Sequence, residues 1–286
     1  MVVVSVCTIS NGMKLSSRLI RRVVIAIVFL ATFTLLGYGT KQLTTPIATC
    51  TDLIMNGEEE GVDCGLTACG KDCEPDLDPP SVKSTKLIKA GKGDYDFVAE
   101  IINPNIDFGA SEVEYELALF NSGESELLKE AGIFYILPGQ TKYLILPALT
   151  TEKEVKRIDF KILNARWQKI ESLEGMNLIV RRDKYTVLPG GLSSKLEAVI
   201  FNDSDFDFNV IDVDILVRNV SGEIIAINRT DIRTLIARTE RGFIATWPFP
   251  IEGKIAEIEI IPSTNLFENL NFIKRYGSGI EKFQQY

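Results

Sequence analysis

The chain has 286 residues, 39 acidic against 31 basic side chains, a formal charge of −8 and no histidine. That balance argues against a nucleic-acid partner and against a basic lipid-binding patch. The missing histidine removes imidazole bases, Ser-His and Cys-His nucleophile pairs and the commonest metal ligand, so a non-catalytic protein is expected.

Residues 1–18 read as a short N-terminal segment. Within it, Met13-Lys14-Leu15 resembles a natural start more than Met1-Val2-Val3-Val4, which makes residues 1–12, and Cys7 with them, an extension. Residues 19–40 read as a membrane helix. Val23 to Thr40 is an uncharged run of eighteen residues, about 27 Å long at about 1.5 Å per residue. Lys14, Arg18, Arg21 and Arg22 precede it, and no acidic residue occurs before Asp52. The positive-inside bias therefore places the N-terminus in the cytoplasm and the rest outside the cell membrane. A cleaved signal peptide is the competing reading, but Leu35 to Thr40 lacks a small-x-small site, so a retained single-pass anchor is expected. Setting those four basic residues aside leaves 27 basic against 39 acidic side chains, so the exterior is acidic.

Residues 48–75 hold Cys50, Cys64, Cys69 and Cys73, and no cysteine follows. In an oxidising compartment such a cluster reads as two local disulfides, with three pairings open. A four-thiolate zinc site is disfavoured, because it usually shows two close C-x2-C pairs. Asp52, Asn56, Glu58 and Asp63 invite calcium, a cation that gathers six to eight oxygens. A solvated acidic loop is the plainer alternative, and no other cofactor is suggested. Cys50-Thr51-Asp52, Asn56-Gly57 and Val62-Asp63-Cys64-Gly65 resemble a short cysteine-rich module of bacterial surface proteins with a Val-Asp-Cys-Gly-Gly core. Leu53 and Leu66 stand where that pattern has glycines. The resemblance implies an extracellular module near the membrane. Residues 76–81, Asp-Leu-Asp-Pro-Pro-Ser, read as an extended spacer.

From Val82 onward the pattern is that of strands. Val113, Tyr115, Leu117 and Leu119 alternate with Glu112, Glu114, Glu116 and Ala118, and turn signals such as Asn121-Ser122-Gly123 and Pro138-Gly139 come often. Half-buried strands of this kind predict a mostly β protein. Ala99 to Asn103 matches Ala198 to Asn202, Val113 to Leu119 matches Ile211 to Val217, and Asn121 to Glu124 matches Asn219 to Glu223. The fold class expected is two tandem β-sandwiches, 82–165 and 174–265, each near the usual domain size, with a C-terminal tail over 266–286. Two readings of that tail stay open, a short helix from Leu266 to Tyr276 or a frayed end. Asn103, Leu119-Phe120, Gly123-Glu124 and Pro138-Gly139-Gln140-Thr141 resemble the immunoglobulin-like FxLYD and late-embryogenesis-abundant-like domains of bacterial and archaeal exteriors. The second repeat is a poorer match, with Ala237-Arg238-Thr239-Glu240 in place of Pro-Gly-Gln-Thr.

Candidate chemistry is sparse. Asp203, Asp205, Asp207, Asp212 and Asp214 offer carboxylates, but paired acid and base groups need a cleft, and Asp212 and Asp214 read as the solvated side of a strand. Ser193-Ser194-Lys195 puts serine and lysine on opposite strand faces. Trp247 and Phe249 are candidate binding aromatics, with core packing as the plainer reading. Asn202, Asn219 and Asn228 begin Asn-x-Ser/Thr sequons, surface glycan sites in a eukaryotic secretory path; the bacterial source that the cysteine module's resemblance implies makes their use unexpected. The function expected is a membrane-anchored surface binding or adhesion protein with a protein or glycan ligand. The alternative is a structural subunit of an envelope assembly such as a pilus or secretion apparatus.

Overall fold

A computed structural model describes residues 17–44, 47–73, 75–91 and 93–277, so the reading of residues 1–12 and Cys7 lies outside the described residues. The chain divides after Asp76 into two compact units. In the first, helix α1 (Ser17–Thr44) is long and apolar enough to cross a membrane over Arg21–Lys41. Its large apolar side chains, among them Leu30, Phe33 and Leu35, point outward and exposed. The hydroxyls of Thr32 and Thr34 donate back to carbonyls one turn earlier, so neither presents a bare polar group along the helix.

The segment from Ile47 to Cys73 is organised by cross-links and carboxylates in place of an apolar core. Cys50 pairs with Cys69 and Cys64 with Cys73, and a one-turn helix, α2 (Leu66–Cys69), lies between. Gly65 has φ 130°, and a Cβ there would meet the Glu60 nitrogen at 2.8 Å, which explains the glycine. Leu53, by contrast, occupies φ 61°, a left-handed conformation that a glycine would hold with less strain.

The second unit carries twelve strands among the described residues, all paired antiparallel. Its first half comprises β1 (Ser81–Lys89), β2 (Asp94–Ile102), β3 (Phe108–Phe120), β4 (Glu126–Ile136), β5 (Thr141–Thr150) and β6 (Arg157–Lys169). Its second half comprises β7 (Leu178–Val187), β8 (Ser194–Asn202), β9 (Phe208–Asn219), β10 (Ile224–Leu235), β11 (Glu240–Trp247) and β12 (Ile255–Ser263). The first half forms three-stranded sheets β1-β2-β5 and β4-β3-β6, and the second forms β7-β8-β11 and β10-β9-β12. The mostly β, sandwich-like expectation therefore holds, and strand order is the same in both halves.

Alternation builds the cores. Phe97, Ala99 and Ile101 from β2 meet Val113, Tyr115 and Leu117 from β3 in the first half. Leu196, Ala198 and Ile200 from β8 meet Ile211, Val213 and Ile215 from β9 in the second. Equivalent asparagines close equivalent corners. Asn103 donates its amide to the carbonyls of Phe108 and Leu137, and Asn202 donates to those of Phe206 and Leu235. Both side chains are fully buried, where each otherwise unpaired carbonyl would cost about 1–3 kcal/mol. Asn202 thus serves the fold and is enclosed, which removes it as a glycan acceptor in the folded chain. Residues 266–277 are not a free tail. A 3-10 turn, Leu266–Glu268, leads into α3 (Leu270–Tyr276), capped by Asn269, and both Leu266 and Phe272 sit inside the second core.

The halves are joined through side chains as well as the chain itself. Tyr135, Leu137 and Ile170, from the first half and the link, enter the second core. Val98 and Ile145, on the outer face of the β1-β2-β5 sheet, pack against Leu216 and Ile227 of the β10-β9-β12 sheet. Each such buried aliphatic side chain contributes about 1.5–3 kcal/mol, so the contact is a firm seam.

Candidate functional site at the junction of the halves

Beside that seam the outward face of β9 is covered. Ile211, Val213 and Ile215 point into the second core, so Asp212, Asp214 and Leu216 point away from it, toward the first half. Asp214 is consequently only 3% exposed. The expectation of a solvated strand face is corrected here: the side was right, but another sheet lies over it.

Six polar side chains meet there. Arg229, paired in register with Asp214 on β10, sends Nη2 to Asp212 Oδ1 at 2.9 Å and Nε toward Asp214 Oδ1 at 3.6 Å. The Tyr135 hydroxyl donates to Asp212 Oδ2 at 3.2 Å and shares a 3.0 Å hydrogen bond with Ser263 Oγ. Lys142 lies on β5 on the same face as the core residue Leu144, at the strand end where the sandwich opens. Its Nζ sits 3.8 Å from the centre of the Tyr135 ring and has no hydrogen-bond partner.

Burial governs the electrostatics. It pushes the Lys142 ammonium down to about 8, with Asp214 and Asp212 opposing the shift. It pushes the Asp214 carboxyl up to about 6, against the pull of Lys142 and Arg229. Burial and the neighbouring Asp212 charge raise Tyr135, which stays a neutral donor. Around the cluster lies an open cavity of about 500 Å³, lined by β3, β4 and β5 of one half and by β9, β10 and residues 264–269 of the other.

The Asp214 shift has a measurable sign. Unfolded, the group titrates near 3.8; folded, near about 6, so between those values the folded state holds the extra proton. Its stabilising contribution is complete below the lower value and is lost as pH rises through the upper one. The swing is on the order of 3 kcal/mol at about 1.4 kcal/mol per pH unit. In denaturant titrations from about pH 3.5 to 7, the wild type is expected to lose that amount relative to Asp214→Asn. A pH-independent difference would show that burial does not hold the proton.

The other expected site residues fall elsewhere. Trp247 is 1% exposed, donates Nε1–H to the Ile227 carbonyl at 2.9 Å and stands edge-on to Tyr185. It is a core residue and offers no surface, because β11 turns alternate side chains inward; the binding-aromatic assignment is corrected. Phe249, two residues past β11, is half-buried against the same core. Lys195 pairs with Glu197, while Ser194 is buried on the other face. In the cysteine module, Asp63 accepts from the Asp52 and Leu53 N–H groups, and Asp52 accepts from the Ile54 N–H and the Asn56 amide. The Thr49 hydroxyl and the Ile54 N–H hold the Asp52 carboxyl below its ordinary range. Glu58 is exposed. A calcium ion seated on Asp52 and Asp63 would have to displace those donors. Cys50, Cys69 and Glu59 also bring ligand-type atoms together, but both sulfurs are consumed in their disulfide.

Sequence reasoning missed Tyr135, Lys142 and Arg229. Lys142 carried a faint signal, since a lone lysine on the inward face of an otherwise apolar strand is out of pattern.

No family model matches the chain, and no curated protein matches it. Among solved structures, the calcium binding domain CBD12 of CALX1.1 is similar at 11% identity, over 67% of this chain and 87% of that one, with a TM-score of 0.20. A CBM22-1-CBM22-2 tandem domain from Paenibacillus barcinonensis Xyn10C gives 9% identity, 65% and 85% coverage and a TM-score of 0.15. A β-glycosidase from Bacteroides vulgatus gives 9%, 60% and 26% with 0.15. Backbones that overlap this little say nothing about how this chain folds or what it binds.

Proposed function

We propose that this chain is a single-pass membrane protein whose exterior part, residues 47–286, is a non-catalytic binding module held at the cell surface. One observation carries the reading: a helix with lipid-compatible sides is followed, six residues after Thr44, by the first of four cysteines that all pair. Disulfides persist on the oxidising side of a membrane, and the basic residues Arg18, Arg21 and Arg22 favour the cytoplasm for the other end. The resemblance of 48–75 and of the strand repeats to bacterial exterior modules supports the same address. Binding is favoured over catalysis because Asp212 and Asp214 turn toward Arg229 and are not set opposite one another across a gap.

Protease added to intact cells is expected to remove a C-terminal epitope tag, with the cysteines already oxidised before lysis. Cleavage only after lysis, or free thiols in the intact cell, would overturn the topology. Cross-linking in native membranes tests the binding role: stoichiometric recovery of envelope-machine subunits would replace it with a structural one.

A further inference from the structure

We propose that the junction cavity is a site for a neutral, polyhydroxylated ligand of the saccharide class, with one ligand hydroxyl accepting from Lys142 Nζ; this rests on the binding role above. The starting point is an unmet need. Lys142 is 5% exposed and carries three donors, no acceptor of its own and no partner for any of them. A buried unpartnered donor is costly, more so when charged, and the Tyr135 ring beneath offsets only part of that cost. Lys142 is among the residues that line a cavity of about 500 Å³, within the range that holds small ligands, and its Nζ is enclosed just beneath that lining.

Charge selects the class. The cavity lining includes Glu112, Asp212 and Glu268 as well as Lys142 and Arg229. Arg229 is already committed to Asp212 and Asp214, so an anionic group would find one lysine and several carboxylates. A cationic group would meet Lys142 and Arg229 directly. A neutral hydroxyl fits both signs, because it accepts from the ammonium and passes its own proton to a nearby acceptor. Asn209 adds a neutral amide to the lining, and Tyr115 and Phe134, with rings 6.0 Å apart, lie in its apolar wall. Amides, mixed charges and aromatic carbon together suit a ring with polar edges and apolar faces.

The test uses the purified full-length chain in lipid nanodiscs. The probes are methyl glycosides of glucose, galactose, mannose and N-acetylglucosamine with the disaccharides cellobiose and lactose; glucuronate and inorganic phosphate form the anionic arm. Saturation-transfer NMR and calorimetry are expected to show at least one neutral saccharide bound, with the anions at least about tenfold weaker, about 1.4 kcal/mol. Lys142→Met keeps the methylenes and removes the donors, and is expected to weaken binding by about tenfold or more without lowering the melting temperature. Should that variant fail to fold, hydrogen exchange on the wild type still decides: saccharide is expected to slow exchange over 133–145 and 208–212. No neutral saccharide bound at about 20 mM, preference for the anions, binding retained in folded Lys142→Met, or protection confined to other strands would each overturn the site. Because the purified chain has no inside or outside, a negative result here leaves the topology test standing, and the reverse also holds.

Discussion

Reducing both disulfides is expected to unfold residues 47–73 while strands β1 to β12 keep their protection. The sole apolar residue buried in that segment is Cys64 itself; the other buried side chains are Glu59 and Asp63. Glu59 accepts from the backbone N–H groups of Asn56 and Asp63, and Asp63 from those of Asp52 and Leu53, so carboxylates satisfy the turns. Such bonds exchange with water at a net gain of about 1–3 kcal/mol each, which cannot offset the entropy of ordering so short a chain. Cross-links spanning 19 and 9 residues contribute about 3 kcal/mol each by loop entropy, on the order of 6 together. No cysteine lies beyond Cys73, so thiol reagents have nothing to cut among the strands. Hydrogen-exchange mass spectrometry before and after reduction checks the expectation. Undiminished protection over 47–73 would mean that something besides the cross-links orders the segment.

Trp247→Ala is expected to cost about 3–5 kcal/mol, against less than about 2 for Phe249→Ala. The indole is fully enclosed by the second core, contacts Tyr185 edge-on and satisfies the Ile227 carbonyl, so its removal leaves both a void and an unpaired acceptor. Phe249 touches the same core from its margin. Denaturant unfolding of the two variants side by side distinguishes a packing residue from a recognition surface. Equal and small effects would restore Trp247 to the surface.

These contrasts show what a strand pattern carries. Alternation assigned inward and outward faces correctly from Val113 to Leu119 and from Ile211 to Val217, because the pleat leaves no other arrangement. The asparagines at 103 and 202 were visible as a repeated letter, and their meaning is a shared corner. Alternation says nothing about what lies over an outward face. Asp212 and Asp214 look like solvated residues until β5 is known to lie over β9 and β10. The same limit hid Lys142, whose surroundings come from Tyr135, Asp212 and Arg229, residues distant in sequence. Trp247 shows the converse: an aromatic beside prolines reads equally well as display or as packing, and only its place in β11 decides.

The seam of Val98, Ile145, Leu216 and Ile227 has a mechanical meaning. It clamps the two halves along one side of the cavity, like a caliper locked at one opening. Widening the gap between the halves would break that contact, at about 1.5–3 kcal/mol for each buried side chain.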